Sequence, residues 1–158
     1  MGKILDAAKS FFTEDNWQFD ANQERPILRL PFRGKNGDWW CYAQERNNQL
    51  LFYTVAPVKA DEPHRQAISE FITRANYGMA IGNFELDFSD GEIRYKTSID
   101  VDDGPLTHAL MKPLVYVNCL MLDKYLPGLI EVIGGGDPKA AVDKIENPAP
   151  VEDAGPAL

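Results

Sequence analysis

The chain has 158 residues, 44% hydrophobic and 25% charged, with 12 glycines and 11 prolines, as expected of one ordinary globular domain with a real core. A net charge of −8 and a sequence pI near 4.7 set it against nucleic acid and anionic membrane, which are themselves negative, and leave basic or neutral protein surfaces as partners. The two cysteines, Cys41 and Cys119, sit among hydrophobes without a pairing motif, as buried reduced thiols of a cytoplasmic protein do.

The opening run MGKILDAAKSFFTEDNW carries Asp6 and Glu14 and lacks the continuous apolar stretch of a signal peptide. Its period of 3.6 predicts an amphipathic helix over residues 3 to 14, with Ile4, Leu5, Ala8, Phe11 and Phe12 on one side. Strands follow. Leu28, Leu30 and Phe32 alternate with Arg29, Pro31 and Arg33, and Pro31, lacking an N–H, places this strand at a sheet edge. Arg25, Arg29 and Arg33 share its other face, where such a row guards an exposed edge or receives an acidic partner. Asn36-Gly37 predicts a type I′ turn into a second strand, Asp38 to Glu45. Asn47-Asn48 then turns the chain into a third, Gln49 to Ala56. Trp39 and Trp40 fall on opposite faces of the second strand, so both faces meet something apolar.

Asp61-Glu62-Pro63 opens a helix with Asp61 as its cap, the apolar stripe runs from Ala67 to Ala75, and Gly78 suits the left-handed C-terminal cap. A hairpin follows, Phe84 to Phe88 and Ile93 to Ile99 about Asp90-Gly91, making about five strands in all. Asp102 or Asp103 would cap the helical half beginning near Pro105. Pro113 and Pro127 divide that half into helices over residues 106 to 111, 113 to 125 and 127 to 133, since an interior proline costs about 3 kcal/mol. Beyond Gly134-Gly135-Gly136 the chain turns proline-rich and acidic without aromatics, so residues 134–158 read as a disordered tail on a single domain of residues 1–133.

Catalytic and metal patterns are missing. His64 and His108 stand apart, there is no zinc, nucleophile-elbow or phosphate-loop motif, and Asp100 to Gly104 places its glycine wrongly for a calcium loop. No cofactor or metal is expected. Nor can the apolar run from Leu114 to Leu122 span a bilayer, because Asp123, Lys124 and Pro127 interrupt it.

That run sets one helical face of Leu114, Val117, Met121 and Tyr125 beside another of Val115, Cys119 and Leu122, and a five-stranded sheet covers only one side. The excess apolar surface predicts a two-fold homodimer, with Trp40, Tyr42, Leu114, Val115, Val117 and Leu122 as the candidate dimer or partner interface.

The segment from Gln49 to Thr107, with Asn76-Tyr77-Gly78, Gly82-Asn83-Phe84-Glu85 and Gly91-Glu92-Ile93-Arg94-Tyr95, and the later Asp123-Lys124-Tyr125-Leu126-Pro127, resembles the YbjN family of small bacterial proteins. That family is described as candidate sensory transduction regulators similar in fold to type III secretion chaperones. The resemblance covers about residues 5 to 133. It implies an α+β domain, homodimerisation and binding of a protein client, with no catalytic residue to carry over. The first expectation is thus a non-enzymatic dimeric module that binds a protein segment at a sheet edge or in an apolar groove. The second is a small-molecule sensor or enzyme with a pocket between sheet and C-terminal helices, marked by His108, Asp102 and Asp103 together.

Overall fold

The computed structural model describes residues 2–21, 24–102 and 104–149. Its elements are α1 (Lys3–Glu14), β1 (Asp20–Ala21), β2 (Ile27–Arg33), β3 (Asp38–Arg46), β4 (Gln49–Lys59), a 3-10 turn (Glu62–His64), α2 (Arg65–Asn76), β5 (Asn83–Leu86), β6 (Glu92–Asp100), α3 (His108–Ile133) and α4 (Pro138–Glu146). The strands form one antiparallel sheet in the order β1-β2-β3-β4-β6-β5. It is the expected α+β meander plus hairpin, with β1 added; two residues long, that strand carries no alternation to read.

One face of this sheet is covered. Alternate residues of the strands, among them Leu28, Leu30, Cys41, Ala43, Phe52 and Tyr95, are buried there. Helix α1 lies over β3 and β4, α3 over β4 and β6, α2 beside β5, and α4 on α2 and α3. Phe11 and Phe12 of α1 meet edge to face, and Phe12 reaches Phe52 of β4.

Helix α3 contradicts the expected three pieces by running unbroken through Pro113 and Pro127. Each interior proline costs about 3 kcal/mol. Burial of Val115, Leu122, Leu126 and Leu129 on the sheet side, at about 1.5–3 kcal/mol per side chain, outweighs that cost. Pro127 also leaves the carbonyl of Asp123 without its helical donor, and Asn36 Nδ2 donates to that oxygen at 2.8 Å. The Asp123 carboxylate accepts from the backbone N–H groups of Lys35 and Asn36 at 2.9 and 2.7 Å. This grip gives the β2–β3 loop its shape. Neither Asn36 nor Gly37 takes the positive φ of the expected type I′ turn, and Gly34 N–H instead donates to the carbonyl of Gly37 at 2.8 Å.

Other expectations shift at helix ends. Thr107, not Asp102, caps α3 by accepting from Leu110 N–H, and Asp103 lies outside the described residues. The Asp61 side chain caps no backbone N–H and instead meets His64 Nδ1 at 2.6 Å. Within the expected disordered tail, Pro138–Glu146 forms α4, capped by Asp137 and burying Ala141 and Val142; two small apolar residues on one helical face were too weak a signal. Residues 150–158 lie outside the described residues. The thiols of Cys41 and Cys119 are both buried, 3.9 Å apart, joining β3 to α3.

The one polar side chain buried in the middle of α3, Asn118, locks helix to sheet. Its Nδ2 donates to the carbonyl of Phe52 at 2.8 Å and to Thr97 Oγ1 at 3.0 Å, while Thr54 Oγ1 donates to its Oδ1 at 2.6 Å. Thr97 Oγ1 donates in turn to the carbonyl of Leu114 at 2.8 Å. Asn118→Leu should therefore lower stability by about 2–4 kcal/mol in urea unfolding, because it strands buried donors and acceptors. Adding Thr54→Val should recover part of the loss, since removing both partners is milder than removing one.

Candidate functional site

The period of two that buries half of each strand turns the other half outward onto a face that no helix covers among the described residues. Pro31, Trp40, Tyr42, Tyr53, Val55 and Arg94 are all exposed or half-buried there. Trp40 remains 39% exposed, with the Arg29 guanidinium 3.4 Å above its ring. Arg94 sits likewise over Tyr53 at 4.3 Å. A cleft of about 570 Å³ opens between Pro31, Trp40, Tyr42, Val55 and Pro57, with Arg33 and Asp38 at its rim. Two smaller hollows, of about 390 and 260 Å³, continue from it and share Tyr42. Trp39 also borders the main cleft, with its ring stacked on Phe32. Its Nε1 is buried without a hydrogen-bond partner among the described residues, a deficit of about 1–3 kcal/mol.

The sheet edges are poor docking sites by comparison. At one edge, β1 pairs with Leu28 and Arg29 only, so β2, expected outermost, is the edge from Leu30 onward and presents Pro31 there without an N–H. At the other, Asn76 imitates a neighbouring strand: Phe84 N–H donates to its Oδ1 at 2.7 Å, and its Nδ2 donates to the Phe84 carbonyl at 3.1 Å. Of the two binding modes open to this fold, strand addition and a groove on the sheet face, the geometry favours the groove.

The six expected interface residues do not form one surface. Trp40 and Tyr42 lie on the open face. Val115 and Leu122 are fully buried in the chain's own core, because their side of α3 faces the sheet. Leu114 and Val117 are half-buried on the outer side of α3, where Leu110 and Leu120 are 42% and 60% exposed. These last two were missed, although Leu120 lies three residues beyond Val117 and Leu110 seven before it, on the same helical face. Tyr53 and Val55 follow equally from the alternation in QLLFYTVA.

The space between sheet and α3 is filled by core side chains. Rather than joining Asp102 beside a pocket, His108 pairs through Nε2 with Asp15 Oδ1 at 2.8 Å, and Tyr116 O–H donates to Asp15 Oδ2 at 2.8 Å. This cluster ties the end of α1 to the start of α3. The bonds from His108 and Tyr116 hold the Asp15 carboxyl below its ordinary value of 3.8.

The YbjN family, described as "Putative bacterial sensory transduction regulator", matches residues 5–129. A solved structure similar to this chain is that of YbjN from E. coli, described as "a putative transcription regulator": TM-score 0.60, 14% identity, 75% of this chain and 85% of that one covered. At that identity the likeness speaks for the fold. No curated protein matches the chain.

Two outcomes follow from the edge and from the α1–α3 tie. Asn76→Ala should speed amide exchange at Phe84 by uncapping the β5 edge; unchanged exchange would remove Asn76 from that role. A carboxyl whose folded pKa is depressed stabilises above its unfolded value, and that contribution is lost as pH falls through the folded value. Asp15→Asn should thus flatten the fall in urea midpoint between about pH 5 and about pH 3, with little effect on its slope at neutral pH.

Proposed function

The chain belongs to the YbjN family, and from that membership we propose that it is a regulator that acts by holding a protein segment, not by catalysis, and that it works as a cytoplasmic homodimer. The observation that carries this reading is the uncovered face of the sheet, where Trp40 and Tyr42 line an apolar cleft large enough for side chains of a partner. A monomer with no partner would leave an aromatic surface in water at the centre of its sheet. Both sheet edges are protected against strand addition, which directs docking to the face.

The outer side of α3 is a second surface with a different task. Leu110, Leu120 and the half-buried Leu114, Val117 and Met121 make an apolar strip on one helix, which a two-fold axis would pair with its own copy. The strip and the cleft lie on opposite sides of the molecule, so pairing leaves the cleft open. A regulator of this design carries two clients per dimer. Among the described residues, no helix is long and apolar enough to cross a membrane.

Light scattering behind size exclusion should give twice the 17.7 kDa chain mass for the wild type. Leu120→Asp, a change at an exposed site that spares the core, should give a single chain with an unaltered circular dichroism spectrum; a wild-type monomer would contradict the dimer. For the client surface, a photo-crosslinking amino acid replacing Trp40 should yield adducts with another protein in cells, and one replacing Leu120 adducts of the chain with itself. Self-adducts alone from the Trp40 position would make the open face the dimer interface instead.

A further inference from the structure

Resting on the docking role given to the open face, we infer that the segment held there is extended, apolar and acidic, with carboxylates placed beside its anchoring side chain. The cleft supplies hydrogen-bond donors around an apolar floor. Pro31, Trp40, Val55 and Pro57 form that floor. Arg29, which lines the adjoining hollow, holds its guanidinium carbon 3.4 Å from the centre of the Trp40 ring, close enough to stack on it while its N–H groups meet a carboxylate. Arg33 stands at the rim with its side chain 87% exposed, and its ion pair with Asp38, at 3.5 Å, is itself largely in water, so an incoming carboxylate competes for it cheaply. Among the described residues that line the cleft, Asp38 is the one carboxylate.

The acidic net charge of the chain does not oppose this. Charges beyond roughly 8 Å are largely screened at physiological ionic strength, so the arginines at the cleft decide what docks there. Extension follows from the shape: the main cleft and both smaller hollows meet at Tyr42 and cross from β2 to β6, a run suited to a stretched chain with alternate side chains seated. In the side hollows Asp20 is accompanied by Arg25 and Arg29, and Glu92 by Arg94, so neither hollow is acidic on balance.

The test uses the full chain, isotope-labelled for NMR, and two blocked octapeptides: Asp-Leu-Glu-Pro-Phe-Glu-Leu-Asp, and its counterpart with Asn and Gln replacing every acid. The acidic peptide should shift the Trp40 indole and the backbone signals of Tyr42 and Val55, and should bind about tenfold more tightly than the amide peptide. Arg29→Gln, at an exposed position away from the core, should reduce the acidic peptide to the level of the amide one. Equal binding of the two peptides at these residues would overturn the acidic assignment and leave the open face as a docking surface. If neither peptide shifts these signals, the docking role falls with it. Preference for a Lys-containing version of the peptide would reverse the sign of the partner's charge and overturn the inference.

Discussion

A carboxamide in the middle of an otherwise apolar helix decides how this molecule is layered. Asn118 reaches the Phe52 carbonyl on β4 and the Thr97 hydroxyl on β6, so α3 lies across these two strands in one register and one rotation. A helix that is hydrophobic all round has many ways to lie on a sheet, and a buried amide with satisfied partners removes most of them, because any other rotation strands its donors in the core. Val115, Cys119 and Leu122 are buried as a consequence of that rotation, and Leu120 is exposed by it.

The same orientation divides the surface. With α1, α2 and α3 all on one side, the second face of the sheet is left to Trp40, Tyr42, Tyr53 and the arginines that stack on them. Both edges are closed by local chemistry, Pro31 at one and the Asn76 amide at the other. What remains is a broad aromatic face and an apolar strip on the far side of α3, the surfaces proposed for a partner and for a second copy. The Asp123 grip on the β2–β3 loop bears on the first of these, since that loop carries Arg33 and Asp38 to the cleft rim.

Much of the fold was legible because it rests on local periodicity. Alternation placed β2 to β6, the 3.6 period placed α1 and α2, and Gly78 takes the φ of +88 that its capping position asks for. The failures came from tertiary contacts that override local preference. Two prolines read as breaks, yet α3 runs through them on the strength of sheet contact and the donor that Asn36 supplies across the molecule. Asn36-Gly37 read as a type I′ turn, yet Asp123, 87 residues from Asn36 along the chain, dictates another shape. The part of the six-residue candidate interface that reaches the surface is Trp40, Tyr42, Leu114 and Val117, with Val115 and Leu122 in the core. That it forms two surfaces and not one depends on which way Asn118 faces, and a lone polar residue in an apolar run does not disclose its partners.

In the proposed arrangement, pairing and client binding use opposite sides of the molecule. Hydroxyl-radical footprinting of the purified chain at dimer-forming concentration tests it most directly, with Trp40 and Met121 as the two readouts. Rapid oxidation of Trp40 is expected, together with protection of Met121 that disappears on dilution to monomer. Protection of Trp40 with free oxidation of Met121 would put the dimer on the sheet face and contradict the account.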